Sequence, residues 1–440
     1  MKLLDTEAWG MGGSGTPIPS PALIDDVIER YNPTAPLFPG QPLFEVSKVN
    51  PLFTPEGLYP ITGVKSLPLD TSVAQGVSIL NSTITSQIAG GNNLVVVGGS
   101  QSSTIASLEM RELLALPKAE QPTADQLSFL LLVDPSAPNG GLLERFNLPD
   151  LNANLPPLTG PSFGVTFSGA TPSDTPWDTA VYDMEYDGFS DFPRYPIDLP
   201  ADLNAALGIV YVHSTVTTIP LSQVAEAVKL PVSDDYTGHT QYFMIPVENL
   251  PLLDPLRGSP MGNAIADLLQ PDLKVLVNLG YGSITDGWDP GPANVPTPIG
   301  LFPTNLNPAD VLTALANGAQ EGVKDFVHDL GSLSTQSISE ATTNGASVTI
   351  DSLSSLTDIV NAFSSVAAAS YAALLPVADA VNALVTTLPA YDASLFTQEL
   401  ASGNLLDAIG LPIAADFGLT PIAALFGVAG IAGIVDAIPS

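Results

Sequence analysis

Ser100 stands at the centre of Gly98-Gly99-Ser100-Gln101-Ser102, and its neighbours are the residue types that nucleophilic chemistry needs. A serine hydroxyl attacks an ester carbonyl only when a base takes its proton and fixed donors receive the charge that develops on the carbonyl oxygen. Leu94-Val95-Val96-Val97 before it is a short apolar run rich in β-branched residues, as in a strand buried on both faces. From Thr104 to Met110 the chain reads as the start of a helix, with Ile105 and Leu108 on one side. A strand, a tight turn carrying Ser100 and a helix would lift the hydroxyl out of a sheet. The Gln101 N–H, at the helix N-terminus, would then face the developing oxyanion. The pentapeptide departs from G-x-S-x-G in having Ser102 as its last residue. The same residues also read as an ordinary strand-to-helix turn in which Ser100 caps the helix.

Base and acid must come from elsewhere in the chain. There are three histidines, His213, His239 and His328, and no cysteine, which removes thiol chemistry and disulfides together. Asp187 and Asp191 follow a strand expected over Thr179 to Tyr186. Asp187 closes that strand and is the preferred acid, with Asp191 as the alternative. Asp134 also ends an apolar strand, and Asp183 falls within one. His213 ends the apolar run from Gly208 and is the preferred base. His239 follows a polar loop and stays open as the alternative, and His328 reads as a surface residue of an amphipathic helix. Near the N-terminus, a strand at Glu7 to Trp9 runs into Gly10-Met11-Gly12-Gly13-Ser14-Gly15. Gly12, Gly13 and Ser14 are the candidates for a second oxyanion donor, with Gly13 and Ser14 preferred, because glycine lets backbone approach a substrate closely. A purely structural turn accounts for those glycines equally well.

The elements that must position these groups alternate. Helices are expected at Asp25 to Tyr31, Ser72 to Ala89, Leu199 to Leu207 and Asn263 to Leu269. Strands are expected at Phe129 to Val133, Tyr242 to Val247 and Leu273 to Leu279. The alternation predicts an α/β fold with a mostly parallel sheet covered on both faces, the arrangement of an α/β-hydrolase. Asn32 to Pro68 is rich in Pro and aromatics and reads as an ordered connection. Composition shifts near residue 300, which divides the chain into a hydrolase-type domain over 1–300 and an Ala/Leu-rich helical region over 301–440. Helical periodicity is expected in that region at Val311 to Leu330, Leu353 to Leu388 and Leu405 to Ala415. Phe417 to Val435 approaches the length of a membrane span but holds Pro421 and several glycines. It reads as a packed helix or buried hairpin rather than an inserted one.

The 440 residues carry a formal charge of −33 with only 12 Lys and Arg. That argues against nucleic acid as a partner and against docking on anionic headgroups. With 45% hydrophobic residues the chain can bury a large core. No metal site and no cofactor is implied. Met1-Lys2-Leu3-Leu4 meets Asp5 and Glu7 before any long apolar stretch, so the start does not read as a cleavable signal peptide.

Taken together, Gly98 to Ser102, Met11 to Pro17, Pro138 to Phe146, Tyr186 to Pro193, Tyr211-Val212-His213, Ile245 to Leu253 and Gln270 to Leu273 resemble the mycobacterial PE-PPE domain. That domain is a cutinase-like serine α/β-hydrolase module. The likeness runs from about residue 5 to about 285; the helical PE or PPE segment that often precedes the domain is not read in this chain. It implies a Ser-Asp-His triad of Ser100, Asp187 and His213, with esterase or lipase activity on acyl esters. It also implies an alternative as an acyltransferase building cell-wall glycolipids. In the short His-x-x-aromatic context of cutinases Val216 replaces the aromatic after His213, whereas Tyr242 supplies one after His239. A secreted or cell-envelope location follows from the resemblance, with peripheral contact to lipid through the apolar C-terminal helices. A non-catalytic envelope-binding protein on a degenerate hydrolase fold is the third reading.

Overall fold

The computed structural model describes residues 6–147, 164–336, 379 and 382–436. Its centre is a seven-stranded sheet of β1 (Thr6–Gly10), β2 (Lys48–Pro51), β3 (Asn93–Gly99), β4 (Leu127–Leu132), β5 (Asp178–Met184), β6 (Val228–Lys229) and β7 (Thr240–Ile245). The order is β2-β1-β3-β4-β5-β7-β6. Every neighbouring pair is parallel except β6 with β7. This is the α/β-hydrolase-like architecture expected from the alternation of elements.

Strand β3 shows why the sequence folds this way. Its side chains alternate between two cores. Leu94 and Val96 join Leu80, Ile105 and Met110 on one face, and Val95 and Val97 join Val27 and Tyr31 on the other. A run without polar alternation is what a strand covered on both sides requires. Each such buried side chain contributes roughly 1.5–3 kcal/mol.

The faces are covered by α1 (Pro21–Tyr31), α2 (Leu69–Ala89), α3 (Gln101–Ala115), the single turn α4 (Leu142–Arg145), α5 (Leu199–Tyr211), the short α6 (Leu221–Val224) and α7 (Pro260–Leu279). The C-terminal part supplies α8 (Pro308–Gln336), α9 (Leu388–Ala401) and α10 (Leu405–Asp436), with a π-helical turn at Ala383–Thr387 before α9. Helix α8 packs along α7, and α10 packs on α9 and α5. Leu388, Tyr391, Leu395 and Leu411 share one core with Leu142, Phe146 and Phe192 of the α/β body. Tyr391 also donates a hydrogen bond to the Phe146 carbonyl at 3.0 Å.

One expected element is wrong. Leu273 to Leu279 is the last part of α7, not a strand. Leu273, Val275, Val277 and Leu279 recur at every second position, which mimics a strand. The helix already begun at Pro260 instead continues through Pro271. Packing of α7 against α8 and α5 outweighs the cost of an interior proline. Phe417 to Val435 continues α10 as one helix through Pro412 and Pro421 rather than turning back as a hairpin. The stretch Leu405–Val428 is long and apolar enough to cross a membrane, yet Ala414, Ala415, Ile422 and Phe426 of it are buried in the protein. Most of the helix expected over Leu353 to Leu388 lies outside the described residues.

Candidate active site

Ser100 occupies the sharp junction between β3 and α3. Its backbone lies at φ 59° and ψ −123°, a region that costs a non-glycine residue about 1–3 kcal/mol. The turn is pinned from several sides. The Ser100 N–H donates to the Leu132 carbonyl at 2.9 Å, and the Ser103 hydroxyl donates to the same carbonyl at 3.0 Å. A side chain at Gly98 would press on the Ser102 carbonyl at 2.9 Å, so the first glycine of the pentapeptide is required by space. Ser102 is fully buried. Its hydroxyl accepts from the Gly99 N–H at 2.8 Å and lies 3.0 Å from the Gly99 carbonyl, to which it donates. The residue that breaks the G-x-S-x-G pattern therefore staples the helix start to the strand end. The short polar side chain at that position was the sequence signal for this role.

The Ser100 Oγ lies 2.7 Å from His213 Nε2, and His213 Nδ1 lies 2.7 Å from Asp187 Oδ2. Strand and helix geometry bring these groups together from opposite ends of 114 residues of chain. Asp187 follows β5 through Tyr186, whose φ of 65° turns the chain sharply. The Tyr186 N–H donates to Asp191 Oδ2 at 2.9 Å, which holds that turn. The carboxylate of Asp187 is completely buried. Its Oδ1 accepts from the Phe189 N–H at 3.0 Å, and Oδ2 also accepts from the Ser190 hydroxyl at 2.8 Å. His213 begins a 3-10 turn at the end of α5. That helix can approach the Asp187 loop because a Cβ at Gly208 would sit 1.8 Å from the Tyr186 carbonyl, and one at Gly188 would sit 2.3 Å from the Ala205 carbonyl. Both glycines are needed for His213 to reach Asp187.

The missing aromatic at position 216 has a spatial replacement. Val216 is buried in the core behind the site, and its carbonyl accepts from the Tyr31 hydroxyl at 2.7 Å. Phe189 instead packs edge-on against the His213 ring, with centroids 4.9 Å apart. Sequence spacing around His213 carried no sign of this contact, since Phe189 lies on another loop.

The Gly-rich loop closes over Ser100. A Cβ at Gly13 would lie 3.3 Å from Ser100 Cβ and 3.9 Å from Ser100 Oγ. The Ser14 hydroxyl donates to Gln101 Oε1 at 2.9 Å, and Gln101 Nε2 donates to Ser72 Oγ at 2.6 Å. The Ser72 oxygen also accepts from the Gly57 N–H at 2.8 Å. This chain of side chains ties loop, elbow and α2 together. Among the described residues, the backbone N–H groups of Gly13, Ser14 and Gln101 have no backbone acceptor. The first N–H groups of a helix are free for an anionic oxygen.

The alternative groups are placed elsewhere. Asp191 is buried under the Tyr186 turn, and burial pushes its carboxyl well above the usual range. Asp134 and Asp183 form a buried network. Asp183 Oδ1 accepts from the Asp134 N–H at 2.8 Å, while Asp134 accepts from Thr171 and Ser136. Burial raises Asp134 to about 6. His239 is exposed and faces Asp178 at 3.2 Å. Asp178 is the first residue of β5, whereas Asp187 follows its last, so about 20 Å of strand separates the two positions. His328 is exposed on α8 beside Asp325 and Asp329, on a polar groove between α7 and α8.

Ser100 opens into a cleft of about 1030 Å³, counting its open mouth. Among the described residues, its polar lining is confined to Ser14, Ser100, Gln101, Thr104 and Thr387, and no charged side chain lines it.

A model of the PE-PPE domain family matches residues 46–282. The uncharacterized PPE family protein PPE28 of Mycobacterium tuberculosis is 43% identical over 431 residues, covering 93% of this chain and 62% of that protein. Esterase PE16 of the same organism is 44% identical over 301 residues, covering 68% of this chain and 52% of that protein. Diacyltrehalose acyltransferase Chp2 is 28% identical over 242 residues, or 54% of this chain and 64% of that protein. The chain thus spans between about half and two thirds of the length of these relatives. No solved structure matches it. The family match covers more than half of the chain, including Ser100, Asp187 and His213, and the chain belongs to the PE-PPE domain family.

Proposed function

We propose that this protein is a serine esterase that cleaves uncharged acyl esters through Ser100, His213 and Asp187. The observation that carries the reading is the continuous line of two 2.7 Å hydrogen bonds from Ser100 Oγ through the imidazole to Asp187. It is supported by the strained Ser100 backbone and by the apolar cleft into which the hydroxyl opens. His213 Nε2 takes the proton as Ser100 Oγ attacks the ester carbonyl. Asp187 holds the Nδ1–H tautomer and offsets the charge of the imidazolium that forms. The Gln101 N–H and one from Gly13 or Ser14 receive the oxyanion, a contribution of roughly 3–4 kcal/mol per donor. His213 then returns its proton to the departing alcohol. Water activated by the same imidazole releases the acid from Ser100.

Labelling with a fluorophosphonate tests this reading. The probe is expected to modify Ser100 in the native chain and to leave Ser100→Ala unmodified, with hydrolysis of p-nitrophenyl butyrate lost in that variant. Full activity in Ser100→Ala would refute it. A second reading replaces water with the hydroxyl of a glycolipid. It is favoured by the acyltransferase name of a 28% identical relative and by a cleft with little polar lining to hold water. Product analysis with and without a trehalose-lipid acceptor separates the two. Such substrates would bring the exposed apolar residues of α10 to a lipid surface.

A further inference from the structure

The C-terminal helices lie beyond the matched family domain, yet they build one wall of the cleft. Ala383 and Leu388 reach it from the turn and the start of α9, and Leu419, Ile422, Ala423 and Phe426 reach it from α10. We propose that this α9–α10 hairpin is the acyl-chain subsite and sets the chain length the enzyme prefers; this rests on the esterase reading above.

Three observations favour an alkyl chain as the occupant. First, the polar residues of the lining are at the Ser100 end, except Thr387, and the hairpin wall is otherwise Ala, Leu, Ile and Phe. A wall with no charge and a single hydroxyl stabilises methylene chains and penalises polar ligands. Second, the wall is continuous with the nucleophile. Phe189 packs against the His213 ring on one side and against Phe426 on the other, with centroids 6.3 Å apart. A chain lying along the hairpin therefore starts beside the reacting carbonyl. Third, the hairpin is seated on the body by specific contacts. Tyr391 donates to the Phe146 carbonyl, and Leu395, Leu411 and Ala415 share one core with Leu142 and Phe192 of the body. Its inner face is thus a fixed wall.

Ala383 and Ala423 are only half-buried, so a larger side chain at either fills the cleft without displacing the core. Binding of the neutral fluorescent probe pyrene-decanol is measured in the full chain carrying Ser100→Ala, which separates binding from turnover. Ala423→Trp and Ala383→Trp are each expected to weaken binding at least about tenfold, the effect of excluding two or more methylenes. In the active chain the same substitutions lower kcat/KM on p-nitrophenyl palmitate relative to p-nitrophenyl butyrate by a similar factor. Leu312→Trp, on the exposed face of α8, leaves both quantities unchanged. Should either tryptophan unfold the protein, Ala423→Leu replaces it with a smaller effect in the same direction. Unchanged binding and an unchanged chain-length ratio in folded variants would overturn the assignment. Weakened probe binding in a protein whose Ser100 resists the fluorophosphonate would support the subsite and overturn the esterase reading instead.

Discussion

Asp187→Asn changes one atom and tests the chemistry more sharply than any deletion. The two carboxylate oxygens have different partners. Oδ1 accepts from the Phe189 N–H, a donor fixed in the backbone, while Oδ2 accepts from the Ser190 hydroxyl and from His213 Nδ1. In the asparagine variant the amide oxygen must stay at the Oδ1 position, or two N–H donors face each other in a buried site at a cost of about 1–3 kcal/mol. That places the NH₂ toward His213. The Ser190 hydroxyl can rotate to accept from it, but His213 then presents a lone pair at Nδ1 and carries its proton on Nε2. Its proton points at Ser100 Oγ, and the imidazole can no longer act as the base. The charge that stabilises the imidazolium is lost as well. The expected fall in kcat is roughly 10³–10⁴-fold, equivalent to about 4–5.5 kcal/mol of transition-state stabilisation. Turnover of p-nitrophenyl butyrate and the rate of fluorophosphonate labelling measure it, with a thermal melt to confirm that the near-isosteric variant is folded. A loss of less than tenfold in a folded protein would refute the role given to Asp187.

Other expectations follow from the same geometry. Gly13→Ala sets a methyl 3.3 Å from Ser100 Cβ and displaces the loop by a few tenths of an ångström, so kcat should fall about 10²-fold with little change in Tm. Ser102→Gly restores the G-x-S-x-G spelling but removes two buried hydrogen bonds. It should lower stability by roughly 1–2 kcal/mol in a denaturant melt while activity on short esters persists. Replacing His239 by Ala should leave kcat within about twofold, because it sits at the far end of β5. Stability should rise on acidification from pH 8 to pH 5. Burial raises Glu56 to about 8 and Glu144 to about 7, above the values these carboxyls have when unfolded. The folded chain therefore binds more protons than the unfolded one between about pH 4 and pH 8, and stability falls as pH rises through that window. Melts of the wild type and of Glu56→Gln across the range check it: a pH slope that is not reduced in the variant would remove Glu56 from the account.

Local pattern was enough to place much of this protein. The continuous apolar run before Ser100 reads as a doubly covered strand because β-branched side chains without polar alternation cannot face water on either side. Asp187 was legible because a carboxylate directly after a parallel strand stands at the edge where such sheets present their groups. The strand-like alternation of Leu273 to Leu279 misled for the opposite reason. Which period wins there depends on whether a sheet edge or a helix is available to pack against, and α7 lies between α8 and α5. Which histidine lies beside Ser100 and Asp187 was likewise decided by the tertiary structure. The aromatic partner of His213 comes from Phe189 on a different loop, and the approach of α5 depends on space left by Gly188 and Gly208. Residue types and order along the chain thus determined the class of fold and the shortlist of reacting groups, since these depend on short-range pattern. Which groups touch, and that helices after residue 383 wall the cleft, were decided only by long-range packing. Contacts between residues a hundred or more positions apart leave no periodic trace in a single sequence.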